Sequence, residues 1–249
     1  RARQEARMLA LAAIVTAKPL LSSRFVPQAT KVRRLASPPR LSAALDTFEK
    51  AGWQSALDEL PVFTIASKEG QPMQYSVDGR PLAIFYADVE AAKTEFAAAQ
   101  RQYPDLGCDL VSVGLGSAYR LSLDGKAMVV PGLAELRAAG APEDAQPMGQ
   151  ELPLFGCMQM SRKGDEGQVL PLFMSYTDCA AAVAEAANGG TPDDPVEIAG
   201  FALSSVIVDP APGAFSFVAP SSSLQHIQAY LGAGVYWRPV DDNDNLDES

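Results

Sequence analysis

The sequence predicts an α+β fold: two tandem αβ repeats, each a small sheet with helices on one face, related by a pseudo-twofold and preceded by an extended N-terminal arm. Three observations predict it. Short blocks of sequence recur once, in the same order, about 90 residues apart. Within each copy, short strand-like apolar runs alternate with segments of helical periodicity. Ahead of the repeats, Pro19, Pro27, Pro38 and Pro39 sit among scattered basic residues, and Pro interrupts both helix and ladder.

The repeat is legible block by block. Glu59-Leu60-Pro61-Val62-Phe63 returns as Glu151-Leu152-Pro153-Leu154-Phe155, an offset of 92. Pro81 to Asp88, ending Phe85-Tyr86-Ala87-Asp88, returns as Pro171 to Asp178, an offset of 90. Gly114-Leu115-Gly116-Ser117 answers Ala202-Leu203-Ser204-Ser205 at 88, and Val130-Pro131 answers Ala219-Pro220 at 89. Drifting offsets in constant order are what duplication with loop insertions and deletions leaves.

Six segments follow. Residues 1–40 form the basic arm. Residues 41–58 hold a leading helix that Ser42 is placed to cap, carrying Leu45, Phe48 and Trp53 and ending near Gly52. Repeat one spans 59–140, a linker 141–150, repeat two 151–233, and an acidic tail 234–249. Each repeat opens with a strand, Leu60–Ala66 or Leu152–Gln159, and passes through a polar turn to a second strand, Leu82–Tyr86 or Leu170–Met174. A helix capped by Asp88 or Asp178 comes next. The first puts Val89, Ala92, Phe96, Ala99 and Tyr103 on one face and stops at Pro104. The second puts Cys179, Ala182, Val183 and Ala186 on one face and stops at Gly189-Gly190. Further strands are expected at Leu110–Leu115, Tyr119–Leu123 and Met128–Val130, and at Val196–Leu203, Val206–Val208 and Phe215–Val218. Closing helices are expected at Leu133–Ala139 and Ser221–Leu231.

Charge is unevenly placed. The 249 residues carry a formal charge of −10, so the body is not expected to seek nucleic acid. Residues 1–40 nevertheless hold nine Lys/Arg against one acid, leaving 11 basic and 29 acidic residues in the rest. Arg24, Lys31, Arg33, Arg34 and Arg40 are the candidate partner contacts of this arm. Met8–Ala17, ten strongly apolar residues with Arg-rich flanks, is too short to span a membrane. It resembles either the core of a cleavable signal ending at Val15-Thr16-Ala17 or a short interfacial anchor. Both readings imply targeting or attachment to a membrane system.

Motifs for chemistry are few. Cys108, Cys157 and Cys179 are odd in number, widely spaced and without a CxxC pair. They read as small buried hydrophobes rather than a zinc site, one disulfide with a leftover thiol being the alternative. The single histidine, His226, shares a helix with Leu224, Ile227 and Leu231 and has no nearby nucleophile to complete a triad. Gly114-Leu115-Gly116 starts like a dinucleotide loop, but Tyr119 stands at the third glycine position. Asp241-Asp242-Asn243-Asp244-Asn245 has the acids of a calcium loop without its turn glycine. Asp88 and Asp178, at equivalent helix starts, are read as caps, with an acid/base pair as the alternative. The expectation is a protein without enzymatic activity, cofactor or metal.

Glu59 to Gly70, the strand ending Phe85-Tyr86-Ala87-Asp88, Leu115 to Tyr119, Val129-Val130-Pro131 and Leu152 to Phe155 resemble blocks of a known family. It is the family of the twenty-two-kilodalton component of the chloroplast inner-envelope translocon, and the resemblance covers about residues 58–232. It implies a non-enzymatic plastid scaffold or chaperone of two αβ repeats with apolar grooves. Such a protein escorts others during import and resides in the envelope intermembrane space or beside thylakoids. The basic arm and acidic tail lie outside the shared blocks. They favour the alternative of a stable peripheral subunit of a plastid membrane complex, such as a photosystem–antenna supercomplex.

Overall fold

Glycine 52 breaks the leading helix. A computed structural model describes residues 45, 48–68, 70–77, 80–164, 167–187, 196–208 and 212–232. Residues 48–50 are helical, Gly52 turns the chain at φ 78°, and a new helix, α1 (Trp53–Leu57), starts behind it. A left-handed residue suits glycine and ends one helix while setting the direction of the next. The helix therefore continues past Gly52 in a second piece, where a single helix ending there was expected. Ser42 lies outside the described residues.

Strand β1 (Pro61–Ala66) is buried along its whole length. Alternation explains this: Val62 points to one side of the sheet, Phe63 and Ile65 to the other, and both sides are covered. Thr64 is the one polar residue in it, and its hydroxyl donates to the Ile84 carbonyl at 2.8 Å. Strands β2 (Gln74–Val77) and β3 (Arg80–Tyr86) form an antiparallel hairpin, and β3 also pairs with β1 through Phe63 and Tyr86. Helix α2 (Val89–Gln102) follows, then β4 (Asp109–Gly114), antiparallel to β1. Helix α3 (Leu115–Leu123) leads to β5 (Ala127–Val130), parallel to β3, and α4 (Leu133–Ala138) closes the unit.

The second unit repeats these pairings strand for strand. Its elements are β6 (Pro153–Gly156), β7 (Arg162–Lys163), β8 (Gln168–Phe173), α5 (Tyr176–Ala187), β9 (Ala199–Ala202), α6 (Leu203–Val206), β10 (Phe215–Val218) and α7 (Ser221–Gly232). β6 pairs antiparallel with β8 and β9, β10 runs parallel to β8, and β7 forms the hairpin with β8. Even single hydrogen bonds recur. Leu115 N donates to Leu60 O at 2.7 Å and Leu203 N to Leu152 O at 2.9 Å.

Register corrects two of the offsets. Phe63 faces Tyr86 and Phe155 faces Phe173, so Tyr86 corresponds to Phe173, an offset of 87 rather than 90. Ala87 N donates to Val130 O and Met174 N to Val218 O, which places Val130 and Val218 at 88 rather than 89. Matching letters misled because Asp88 and Asp178 are identical residues at inequivalent places.

Each sheet has two buried faces. The inner faces meet in one common core, with Val62, Phe85 and Leu115 from the first unit and Leu154, Leu172 and Leu203 from the second. Trp53 seals it, its ring 6.2 Å from Phe215 and 6.3 Å from Phe217. The outer face of the first sheet (Phe63, Ile65, Ile84, Tyr86) is covered by α2, and that of the second (Phe155, Phe173) by α5. Helices thus flank a pair of stacked sheets, an α+β architecture of two tandem repeats.

Three expectations fail locally. Tyr119–Leu123 is helical, as the second half of α3, and Val206–Val208 is a helix end and turn with Val208 79% exposed. Leu121 and Leu123 alternate as a strand would, but Leu115 and Ala118, buried three apart, carry the helical spacing. The hairpin strand β7 emerges from the stretch Arg162 to Gly167 read as polar turn, and β2 from residues between Gly70 and Leu82 for which no element was expected. Gly189-Gly190 lies outside the described residues.

Candidate functional site

The helix starts show how the copies have diverged. Asp88 caps α2 as expected, accepting from Glu90 N at 3.0 Å. Asp178 does not cap α5. Ser175, the equivalent of Asp88, takes that place, and its hydroxyl accepts from Asp178 N at 3.2 Å. Asp178 is thereby free to reach outward. Its two oxygens accept from Ser221 N and the Ser221 hydroxyl, both at 2.8 Å, and so hold the start of α7. Between the two aspartates lies Glu135 of α4. Its carboxyl is pushed above the usual range mainly by burial, with the negative charges of Asp88 and Asp178 adding to it.

The closing helices cross over. By sequence α7 ends the second unit, yet it packs on the first. His226 meets Phe63 edge-on at 5.5 Å, Ile227 joins the cluster of Phe63, Ile65 and Ile84, and the Tyr230 hydroxyl donates to Asp109. Ala139, just past α4, packs in the opposite direction, against Phe155, Phe173 and Cys179. The exchange is unequal. α4 has six residues and α7 twelve. On the second outer face Phe155 and Phe173 are buried, while at its rim Gly200, opposite Phe155, is exposed and Tyr176, edge-on to Phe155 at 5.4 Å, is 40% exposed. Leu224 of α7, expected on the apolar side, is exposed instead. These outer faces, and the helices over them, are the candidate protein-binding surfaces.

The other sequence candidates have structural roles or lie elsewhere. Arg24, Lys31, Arg33, Arg34 and Arg40 fall outside the described residues, as do the signal-like segment and the acidic tail. Gly114 and Gly116 are glycines because α1 comes too close for a side chain: a Cβ at Gly116 would strike the Gln54 carbonyl, and one at Gly114 the Asp58 carboxylate. Asp58 occupies the α3 N-terminus itself, accepting from Ser117 N at 2.7 Å, where a dinucleotide phosphate would sit. The pKa of His226 is lowered, first by burial and then by Lys93. All three cysteines are buried and free, in accord with their reading as small hydrophobes. Among the described residues, no cluster of three or more His, Cys, Asp or Glu side chains is placed to hold a metal, and no helix is long and apolar enough to cross a membrane. The Asp178–Ser221 tie was hidden from the sequence by its 43-residue span.

No family model and no curated protein matches the sequence. Solved structures do. Tic22 from Plasmodium falciparum superposes with a TM-score of 0.63 at 15% identity, covering 74% of this chain and 99% of its own. Anabaena Tic22, described as a protein-transport protein, superposes with a TM-score of 0.53 at 16% identity, covering 75% of this chain and 97% of its own. The chain has the Tic22 fold. At this identity the likeness lies in the course of the backbone: of the resembling blocks, those at Pro61–Ala66, Phe85-Tyr86, Val129-Val130 and Pro153–Phe155 lie in paired strands, and Leu115 to Tyr119 opens α3. The superposition spans nearly all of the Plasmodium chain.

Proposed function

We propose that this protein is a non-enzymatic, protein-binding scaffold or chaperone of protein transport in a plastid. The observation that carries the reading is the Tic22 fold, shared over 99% of the Plasmodium protein and 97% of the Anabaena one. Two further features support it. Both sheets carry apolar outer faces under helices, and exposed Met158 and Tyr176 lie on the second unit. The glycines, aspartates and histidine that looked like chemistry are engaged in capping and packing. The test is direct: the purified chain is mixed with a plastid preprotein diluted from denaturant and light scattering is followed. Suppression at stoichiometric ratio, insensitive to salt, is expected. Unchanged aggregation would overturn the reading.

The basic arm favours a second reading, since nine basic residues ahead of an acidic body suit a fixed contact with acidic partner subunits. On that reading the protein is a stable peripheral subunit of a plastid membrane complex, with Arg24, Lys31, Arg33, Arg34 and Arg40 as charge contacts. Co-purification with envelope or thylakoid complexes after a salt wash supports it, and release as a monomer removes it. Envelope intermembrane space and thylakoid surface are separated by the same fractionation.

A further inference from the structure

The geometry points to α7 as a displaceable lid: the outer face of the first sheet is a seat for an amphipathic helix of a client protein, and α7 is the resident occupant that a client replaces. This rests on the protein-binding reading above and names its site and its ligand chemistry. The seat and its cover are mismatched. Phe63, Ile65 and Ile84 beneath α7 are each at most 3% exposed. By contrast α2, which shares the same face, buries Val89, Ala92 and Ala99. Among the described residues of α7, the one fully buried side chain is that of Ser223, and its hydroxyl has no hydrogen-bond partner. Burial of an unpaired hydroxyl opposes docking. Ile227 is only partly covered and Leu224 faces solvent. Between the His226 and Ile227 contacts on the seat, the hydrogen bonds that fix α7 sit at its two ends: Asp178 on Ser221, and Tyr230 on Asp109. Two end latches over an apolar face give an arrangement that opens without disturbing the shared core between the sheets, to which α7 contributes nothing.

The resident helix states what a client must offer. A small residue, an aliphatic one four positions on and a hydrogen-bond donor three further reproduce Ser223, Ile227 and Tyr230. The donor must reach the Asp109 carboxylate. Lys or Arg does so with a charge-assisted bond, so a client helix with a basic residue at that place outcompetes α7.

The experiment uses the full chain, ¹⁵N-labelled, and a latch variant carrying Ser221→Ala and Tyr230→Phe. Both substitutions lie on the lid, and retention of the fold is checked by the amide spectrum. The probes are unlabelled synthetic peptides with the sequence of residues 221–232, one native and one with Tyr230→Lys. The latch variant is expected to bind the native peptide roughly tenfold more tightly than the unaltered chain, because apparent affinity scales with the open fraction. The Tyr230→Lys peptide is expected to bind more tightly than the native one. In the unaltered chain, binding is expected to speed hydrogen exchange in residues 221–230 while β1 stays protected. Equal affinity of variant and unaltered chain, or a bound peptide that leaves α7 protected, overturns the lid. If the chain still suppresses preprotein aggregation in that case, the transport reading stands and only the lid falls. If it neither binds the peptides nor suppresses aggregation, both fall.

Discussion

Asp178 joins two helices that have no covalent reason to meet. Its backbone N–H is capped by Ser175 while its carboxylate caps Ser221, 43 residues away. Asp178→Ala removes the second cap and is expected to cost about 1 kcal/mol of stability, read as a lower urea midpoint at unchanged slope. Asp88→Ala is expected to cost a similar amount through α2 alone. The two variants differ in where the loss is felt: only Asp178→Ala is expected to raise amide exchange in α7. The thiols offer a second check at this scale. Cys157 and Cys179 are fully buried, and Cys179 is pushed up to about 11, first by burial and then by Cys157 beside it. A native chain is expected to react with a thiol reagent only as fast as it opens, and all three thiols to react at once in denaturant. Rapid native modification of Cys179 would contradict the packing described.

At the scale of elements, α7 and α4 respond to pH in opposite senses. Burial and Lys93 lower the pKa of His226, whose surroundings are Phe63, Tyr230, Lys93 and Glu90. Its docked, neutral form is fully favoured above the ordinary value near 6.5, and that contribution is lost as pH falls through the lowered value. Glu135 is raised, so its penalty is absent below the ordinary value near 4.5 and grows as pH rises through the raised one. The acid-side fall in melting temperature is therefore expected to be smaller in His226→Gln than in the parent, and Glu135→Gln is expected to be more stable than the parent at neutral pH. Elements were also where the sequence was most and least informative. β1, β3, β6 and β8 were legible because their Pro-bounded apolar runs leave no other solution. Residues 119–123 were not, since five residues fit a period of two and of 3.6 alike. The α3 N-terminus was decided by Asp58, a contact across 59 positions that local pattern does not record. The same holds for the site: caps at Asp88 were readable, the crossing of α7 was not.

At the scale of the whole molecule, the shared core and the crossed closing helices make each repeat depend on the other. Cleavage of the linker, for instance by a protease site placed among exposed residues 142–144, is expected to leave the two pieces associated on size exclusion. Either repeat expressed alone exposes half of the common core and is expected to aggregate or to pair with itself. A monomeric, folded single repeat would show that the core between the sheets matters less than its composition indicates.

Trp53 has a use beyond packing. It belongs to α1, which has no counterpart in the second unit, yet its ring is fully buried against Phe215 and Phe217 of β10. The molecule thus carries an optical gauge set between its halves. With Trp237→Phe leaving one indole, a blue-shifted emission reports the halves closed, and a red shift dates their separation. Because α7 lies on the far side of β1, a client that lifts the lid leaves this signal still, while one that prises the sheets apart moves it.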